Sequence, residues 1–202
     1  MSNKHKPLLV VVSAPSGAGK SSLCNRLVQK FPDMAYSVSC TTRAPRGKER
    51  DGIHYHFLSE KEFCARIKRG EFLEHALVHG NRYGTLKQTV YDALAQGRDI
   101  IMDIDVQGAK QIRLACAAMS EDDPIKRSLV DIFIAPPSME ELHRRLCGRS
   151  TDSAEVIETR MRNAEAEMKH QPYYQHTVIN DDFERAADEL AQIIAREHHN
   201  RW

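Results

Sequence analysis

Ala14-Pro15-Ser16-Gly17-Ala18-Gly19-Lys20-Ser21 decides how this chain is read. Before it stands an apolar, β-branched run, Leu8-Leu9-Val10-Val11-Val12. After it comes Ser22-Leu23-Cys24-Asn25-Arg26-Leu27-Val28, with apolar positions 23, 24, 27 and 28 at helical spacing. The order is strand, small-residue loop, helix. The loop fits the G-x-x-x-x-G-K-[ST] pattern of a phosphate cradle, with Ala14 at the first glycine. A phosphate chain must be approached by backbone rather than by side-chain bulk. Gly17 and Gly19 allow the backbone angles that turn successive N–H groups inward. The helix starting near Lys20 adds free N–H groups and the positive end of its dipole. Lys20 can then reach the β/γ oxygens, and the Ser21 hydroxyl can ligate Mg²⁺. Ser16, Gly17, Ala18, Gly19, Lys20, Ser21 and Ser22 are the expected contacts of a bound phosphate chain.

The bulk numbers narrow the class. At 202 residues the chain has room for one domain with a sizeable core and a small inserted lobe. Lys and Arg together number 29 and Asp and Glu 28, a balance that argues against an overall electrostatic nucleic-acid binder. The five cysteines (24, 40, 64, 116, 147) are odd in number and form no C-x-x-C. They read as free thiols in a reducing compartment. No apolar run approaches the roughly 18 residues of a membrane span, and the start lacks an apolar targeting stretch. The expectation is a cytoplasmic protein with no membrane or nucleic-acid partner.

Further along, Tyr36-Ser37-Val38-Ser39 alternates as a strand does, and Cys40 to Gly52 reads as a loop. Arg43 and Arg46, three apart beside Ser and Thr hydroxyls, make that loop a candidate second anion site. Ile53 to Leu58 reads as a short strand with His54 and His56 on one face; with no third ligand nearby, this is not a metal site. Ser59 with Glu62 fits a capping box. Phe72 to Val78 is a strand carrying one charge, Glu74. It turns near His79-Gly80-Asn81, and Tyr83-Gly84-Thr85 leads into a helix from about Leu86 to Ala95. Asp99 to Asp105 is an apolar strand ending in acids, the usual partner of a phosphate loop; its carboxylates, Asp103 and Asp105, can hold Mg²⁺. Residues 105–117 read as helix, 120–126 as surface loop, and 129–135 as buried strand. Ser138 with Glu141 caps a further helix, and Asp182 the last one. Strands interleaved with helices predict an α/β fold of the P-loop NTPase type. It has a parallel sheet with helices on both faces, an inserted lobe at 40–96 and a mobile lid at 138–169. The core is then 7–39, 97–137 and 170–202, all within a single domain over 1–202.

Several nucleotide-handling classes share such a loop. Asp105-Val106-Gln107-Gly108 matches D-x-x-G, a GTPase switch pattern, but no guanine-reading N-K-x-D follows. A motor ATPase would need further modules. A kinase of a small acceptor needs two facing anion sites and arginines that close over the transferring group.

The motifs together resemble the guanylate kinase family. Ser13 to Ser21 is similar to that family's phosphate loop. Val38-Ser39-Cys40-Thr41-Thr42-Arg43-Ala44-Pro45-Arg46-Gly47 is similar to its signature, followed by Asp51-Gly52-Ile53-His54-Tyr55. Phe72-Leu73-Glu74, Gly80 to Thr85, Asp103-Ile104-Asp105 and Asn180-Asp181-Asp182 continue the likeness in order, over about residues 8 to 195. The resemblance implies ATP + GMP ⇌ ADP + GDP with Mg²⁺, the lobe at 40–96 binding GMP and the lid closing over ATP. It implies that Ser39, Glu74, Thr85 and Asp103 face guanine, and that Arg43, Arg46, Tyr55 and Tyr83 hold the GMP phosphate. Lys20, Arg145, Arg149 and Arg160 would surround the γ-phosphoryl group, with Asn180 near the adenine. The lid arginines would stand away from the donor loop until substrates bind. Arg82 and Ser150 depart from the family's usual Tyr and Gly. Relatives that phosphorylate a ribose bisphosphate, or that bind peptides without catalysis, leave two other classes open.

Overall fold

β1 (Leu9–Ser13) is five buried residues in a row, and the core sheet forms around it. A strand covered on both faces needs apolar side chains at every position, and the β-branched run supplies them. The computed structural model describes residues 6–78, 80–148 and 153–200. From β1 the chain passes through α1 (Lys20–Lys30), the short β2 (Ala35–Tyr36) and β3 (Cys40–Thr41). Then come β4 (His56–Phe57), α2 (Glu60–Lys68), β5 (Phe72–Val78), β6 (Asn81–Leu86) and α3 (Lys87–Ala95). β7 (Ile100–Asp103), α4 (Val106–Ala118), α5 (Pro124–Ser128) and β8 (Leu129–Ala135) return to the core. α6 (Met139–Cys147), α7 (Ala154–Met168), β9 (His176–Ile179) and α8 (Phe183–Asn200) complete it.

Five strands form one parallel sheet in the order β2-β7-β1-β8-β9. Alternate residues of β1 feed opposite layers, as the two-residue period of a strand requires. Val10 and Val12 pack with Leu23, Leu27, Leu190 and Ile194 of α1 and α8. Leu9 and Val11 pack with Val90, Val106, Ile112 and Phe133 on the other face. Each such side chain, buried to 3% exposure or less, contributes about 1.5–3 kcal/mol of transfer free energy. The parallel arrangement brings the carboxyl ends of β1, β7 and β9 to one edge. The phosphate loop, Asp103–Asp105 and Asn180 all emerge there, where such sheets bind ligands. A separate four-stranded sheet, β4-β3-β6-β5, lies between β2 and α3 in the chain and carries its own small core of Cys40, Phe63 and Phe72. Among the described residues no helix is long and apolar enough to cross a membrane.

Expected caps are present: Ser59 accepts from Glu62 N–H, Ser138 from Glu141 N–H and Asp182 from Arg185 N–H. Four local expectations are corrected. Residues 53–58 form a turn followed by the two-residue β4, because Gly52 takes a left-handed φ of 70° and Asp51 accepts the Phe57 N–H. The segment 36–39 pairs with β7 only at Ala35–Tyr36. Residues 81–86 are strand rather than the approach to a helix, paired with β5 and β3 on either side. Within the expected loop at 120–126, α5 begins at Pro124 with Asp123 as its cap. Proline suits a first helical position because its missing N–H would have no partner there.

Candidate functional site

The phosphate loop closes on itself first. Ala18 N–H bonds Pro15 C=O at 3.0 Å, and Gly17 and Gly19 take φ of 94° and 92°. Both glycines are also needed for close approach. A Cβ on Gly17 would lie 2.9 Å from Leu146 Cδ2, and one on Gly19 would lie 2.4 Å from Asn180 Nδ2. α1 then starts without a side-chain cap and without an acid in its first turn. Its leading N–H groups face a cavity of about 360 Å³ lined by residues of the loop, Asp105 and Glu167. Free N–H groups at a helix start, with the dipole behind them, form an anion site.

Lys20 and Ser21 are fixed by the end of β7. Lys20 Nζ lies 2.6 Å from Asp103 Oδ1 and donates to Ile104 C=O at 2.8 Å. Ser21 Oγ donates to Asp103 Oδ2 at 2.7 Å. A hydroxyl and a carboxylate side by side are hard oxygen donors of the kind Mg²⁺ takes, with waters and phosphate oxygens completing its shell. Asp105 gives one oxygen to the Gly108 N–H, capping α4.

Two expectations shift here. Asn180 is buried, and its Nδ2 donates to Ala18 C=O at 2.7 Å. It braces the loop from behind and does not line the cavity, because the close approach at Gly19 leaves no room for a ligand between them. Arg145 is not held away from the loop. Its Nη2 donates to Asn180 C=O at 2.9 Å and its Nε to Glu141 at 2.8 Å. With Leu142 and Leu146 against Gly17, α6 is anchored to the donor loop. Arg160 sits half-buried on α7 and lines none of the cavities described here. Arg149 and Ser150 lie outside the described residues.

On the far side of Asp103–Asp105, two adjoining cavities of about 380 and 250 Å³ open. They share Ser39, Tyr55, Asp103 and Ile104 in their walls. Ser39 Oγ and Thr85 Oγ1 stand 3.3 Å apart. Glu74 projects from β5, just past a register shift between Phe72 and Glu74 where the strand bulges against β6. Bulges re-aim side chains at sites. Thr85 stands opposite Glu74, and Gly84, opposite His75, lets the two strands close up: a Cβ there would lie 2.8 Å from Glu74 C=O. Glu74 is only 7% exposed. Burial pushes its carboxyl up to about 7, with nearby Asp105 adding to the rise and the Thr85 hydroxyl opposing it.

Arg43 holds the outer end of this space. Its guanidinium forms a two-pronged pair with Glu49 at 2.9 and 3.0 Å, donates to Ala44 C=O, and reaches Tyr83 OH at 3.3 Å. It also lies 5.4 Å from the Tyr55 ring centre. Arg46 contributes its backbone N–H to Glu49 at 2.7 Å, while its side chain is exposed. The Arg43 pair and the Arg46 N–H hold the Glu49 carboxyl down at about 2. Glu49 escaped the sequence reading, although an acid three residues after Arg46 in a basic loop was a signal. Glu167 escaped it too. It reaches the donor cavity from the last turn of α7, with one carboxylate oxygen buried and unpartnered. Burial raises its pKa, and the Ser16 N–H opposes the rise. A larger cavity, about 610 Å³, lies at the opposite end of the sheet near Pro7 and Ser128, away from every residue above.

Comparisons with known proteins agree with this geometry. The guanylate kinase family model matches residues 6–197. A guanylate kinase of Idiomarina loihiensis is 50% identical over 188 residues, covering 92% of this chain and 85% of that one. One of Syntrophotalea carbinolica is 47% identical over 194 residues, covering 96% and 88%. The crystal structure of guanylate kinase from Anaplasma phagocytophilum superposes with a TM-score of 0.71 at 32% identity, covering 97% of this chain and 89% of that one.

Proposed function

The chain belongs to the guanylate kinase family and transfers the γ-phosphoryl group of ATP to GMP, giving ADP and GDP; from that premise we propose how its residues divide the work. The donor triphosphate lies in the loop from Ser16 to Ser22, with Lys20 on the β/γ oxygens. GMP lies beyond Asp103–Asp105, its base against Glu74, Ser39, Thr85 and Asp103. Its phosphate lies toward Arg43, Arg46, Tyr55 and Tyr83. The observation that carries this reading is the shared wall: Asp105 lines both the donor cavity and the acceptor cavity. A phosphate oxygen of GMP can therefore meet the γ-phosphorus in line with the departing β/γ-bridging oxygen. The new P–O bond forms as the old one breaks, the bond electrons leave with ADP, and no covalent intermediate on the protein is needed.

Lys20 stabilises the charge that gathers on the transferring group. To do so it exchanges its ion pair with Asp103 for phosphate oxygens. Ser21, Asp103 and Asp105 are the residues that would hold Mg²⁺, which neutralises phosphate charge when bound. Arg145, Arg149 and Arg160 would complete the cationic surround. Since α6 is already anchored at Gly17, closure of the lid at 138–169 falls to the part beyond α6, and the lobe at 40–96 is the acceptor-binding part. Asn180 supports the loop rather than touching adenine. All five cysteines are free, in keeping with a cytoplasmic setting.

Guanine presents N1–H and the 2-amino group side by side, and a carboxylate offers two acceptors at matching spacing. Adenine presents a lone pair at N1 and would repel it. The test is release of ADP with GMP, AMP, CMP or UMP as sole acceptor. GMP should support turnover at least about a hundredfold above the others, the scale of a polar site left unpaired by the wrong base. Equal turnover with AMP would contradict the base assignment.

A further inference from the structure

Helix α4 meets the edge of the second sheet at two successive turns. The side-chain amide of Gln111 accepts the His75 N–H at 3.0 Å and donates to the His75 C=O at 2.9 Å. β5 is an edge strand, so these two backbone groups point away from β6. Gln111 pairs both as a neighbouring strand would. One turn earlier, Gly108 lies against Glu74. A Cβ built there would stand 3.1 Å from Glu74 Oε2 and 3.3 Å from Ile104 Cδ1. Gly108 has ordinary helical φ and sits inside the helix, where alanine would be the better helix former. The backbone therefore gives no reason for glycine; the carboxylate it faces does. The bulge before Glu74 also loosens the hold of β6 on this part of β5, so the direction of Glu74 depends on an outside anchor.

We propose that Gly108 and Gln111 are specificity-determining positioning residues, through which α4 of the core sets where the Glu74 carboxylate meets the acceptor base. Gly108 provides clearance for the carboxylate, and Gln111 clamps the adjoining residue of its strand. The proposal rests on the reading of Glu74 as the base-reading group. Neither residue touches the base. A two-pronged hydrogen bond needs both oxygens in place, so a displacement of a few tenths of an ångström weakens both contacts at once. The D-x-x-G stretch from Asp105 to Gly108 then has a role unlike a GTPase switch: the Asp caps the helix and the Gly makes room for the acceptor-reading acid.

The experiment compares kcat/KM for GMP and for AMP, KM for ATP and the melting temperature in Gly108→Ala, Gln111→Ala, Gln111→Glu and Glu74→Ala. Gly108→Ala should lower kcat/KM for GMP about tenfold and leave AMP and the ATP KM unchanged, without lowering the melting temperature. Gln111→Ala should narrow the GMP/AMP ratio in the same direction. Gln111→Glu, which keeps an acceptor for the His75 N–H and loses the donor, should fall between it and the parent. With Glu74→Ala already present, adding Gly108→Ala should change nothing further. If Glu74→Ala narrows the ratio and Gly108→Ala does not, the proposal is overturned while the reading of Glu74 stands. If Glu74→Ala leaves the ratio intact, that reading falls and the proposal with it. Equal losses for GMP and AMP with a lower melting temperature would mark a merely structural role and also overturn it.

Discussion

In the donor cradle Lys20 and Arg145 already have counterparts, Asp103 and Glu141, and Ser21 joins the first pair, while Glu167 keeps one buried oxygen unpartnered. In the acceptor cavity Arg43 is paired with Glu49, but Glu74 is buried with no cation beside it among the described residues. The difference follows from what each region recognises. A phosphate chain is a strong, unspecific anion, and open backbone N–H groups with cations that can exchange partners suffice to hold it. A purine base is neutral, so telling one from another requires an acceptor group kept desolvated and without a cation until the right donors arrive. The donor cations thus rest in ion pairs when the site is empty, whereas the base-reading acid of the acceptor side is desolvated with no cation beside it among the described residues. Moving Glu74 from its ordinary 4.5 to about 7 corresponds to about 3 kcal/mol against ionisation.

The largest effect should come from removing the cation of the donor loop. Lys20→Ala should cut kcat by about 10²–10³-fold, the usual loss for one fixed group at a developing charge. Its melting temperature should fall by only a few degrees, because Asp103 loses its ion pair but keeps the Ser21 hydroxyl. Near-normal turnover would remove the loop from the chemistry and erase the contrast between the two regions. Next in size is Arg43→Lys, which keeps the charge and loses the planar fork that Glu49 and Tyr83 orient. It should lower kcat/KM for GMP about 10–100-fold and leave the ATP KM alone. An equal rise in both KM values would show that the two regions do not divide the substrates.

The two smaller effects concern stability. For Glu74 the sign is set by a folded-state pKa above the unfolded one. The stability this provides is fully present below about pH 4.5 and is lost as pH rises through about 7. Glu74→Gln, which cannot ionise, should therefore melt higher than the parent at pH 8 by about 6–12 °C, equivalent to ~3 kcal/mol, with the difference vanishing near pH 4. Thermal melts of the empty protein at the two pH values check this, and a constant difference would mean that the carboxyl is not desolvated. Asn180→Ala leaves the Ala18 carbonyl without its partner. It should cost about 1–2 kcal/mol and raise the ATP KM a few-fold, with the GMP KM unchanged.

Legibility in the sequence follows the same division. The donor cradle is contiguous: its glycines, lysine and serine are neighbours in the chain, so the spacing alone states the geometry. The parallel core followed from apolar runs interleaved with helical patterns. The acceptor side is assembled from Ser39, Glu74 and Thr85 on different strands, and β6 was hidden because Arg82-Tyr83-Gly84 lacks a plain alternation. Only the family resemblance drew these residues together. Glu49, within six residues of both arginines it binds, was open to a local reading, whereas the roles of Gly108 and Gln111 stayed silent because they are defined by partners brought near in space. A helical glycine facing a carboxylate 34 positions away, Gly108 against Glu74, leaves no local pattern. The bond from Asn180 to the Ala18 carbonyl was equally silent, since the two residues are 162 positions apart in the chain.

The central claim is that the buried carboxylate of Glu74, with no cation beside it among the described residues, reads the acceptor base. The most direct measurement is kcat/KM for GMP and AMP in parallel for the parent and for Glu74→Gln at pH 8, where the parent carboxyl is ionised. Glutamine keeps the shape but turns one acceptor into a donor, which meets the guanine N–H groups head on. The account predicts that the GMP/AMP ratio falls at least about tenfold, with AMP losing nothing. A ratio equal to the parent's would contradict it.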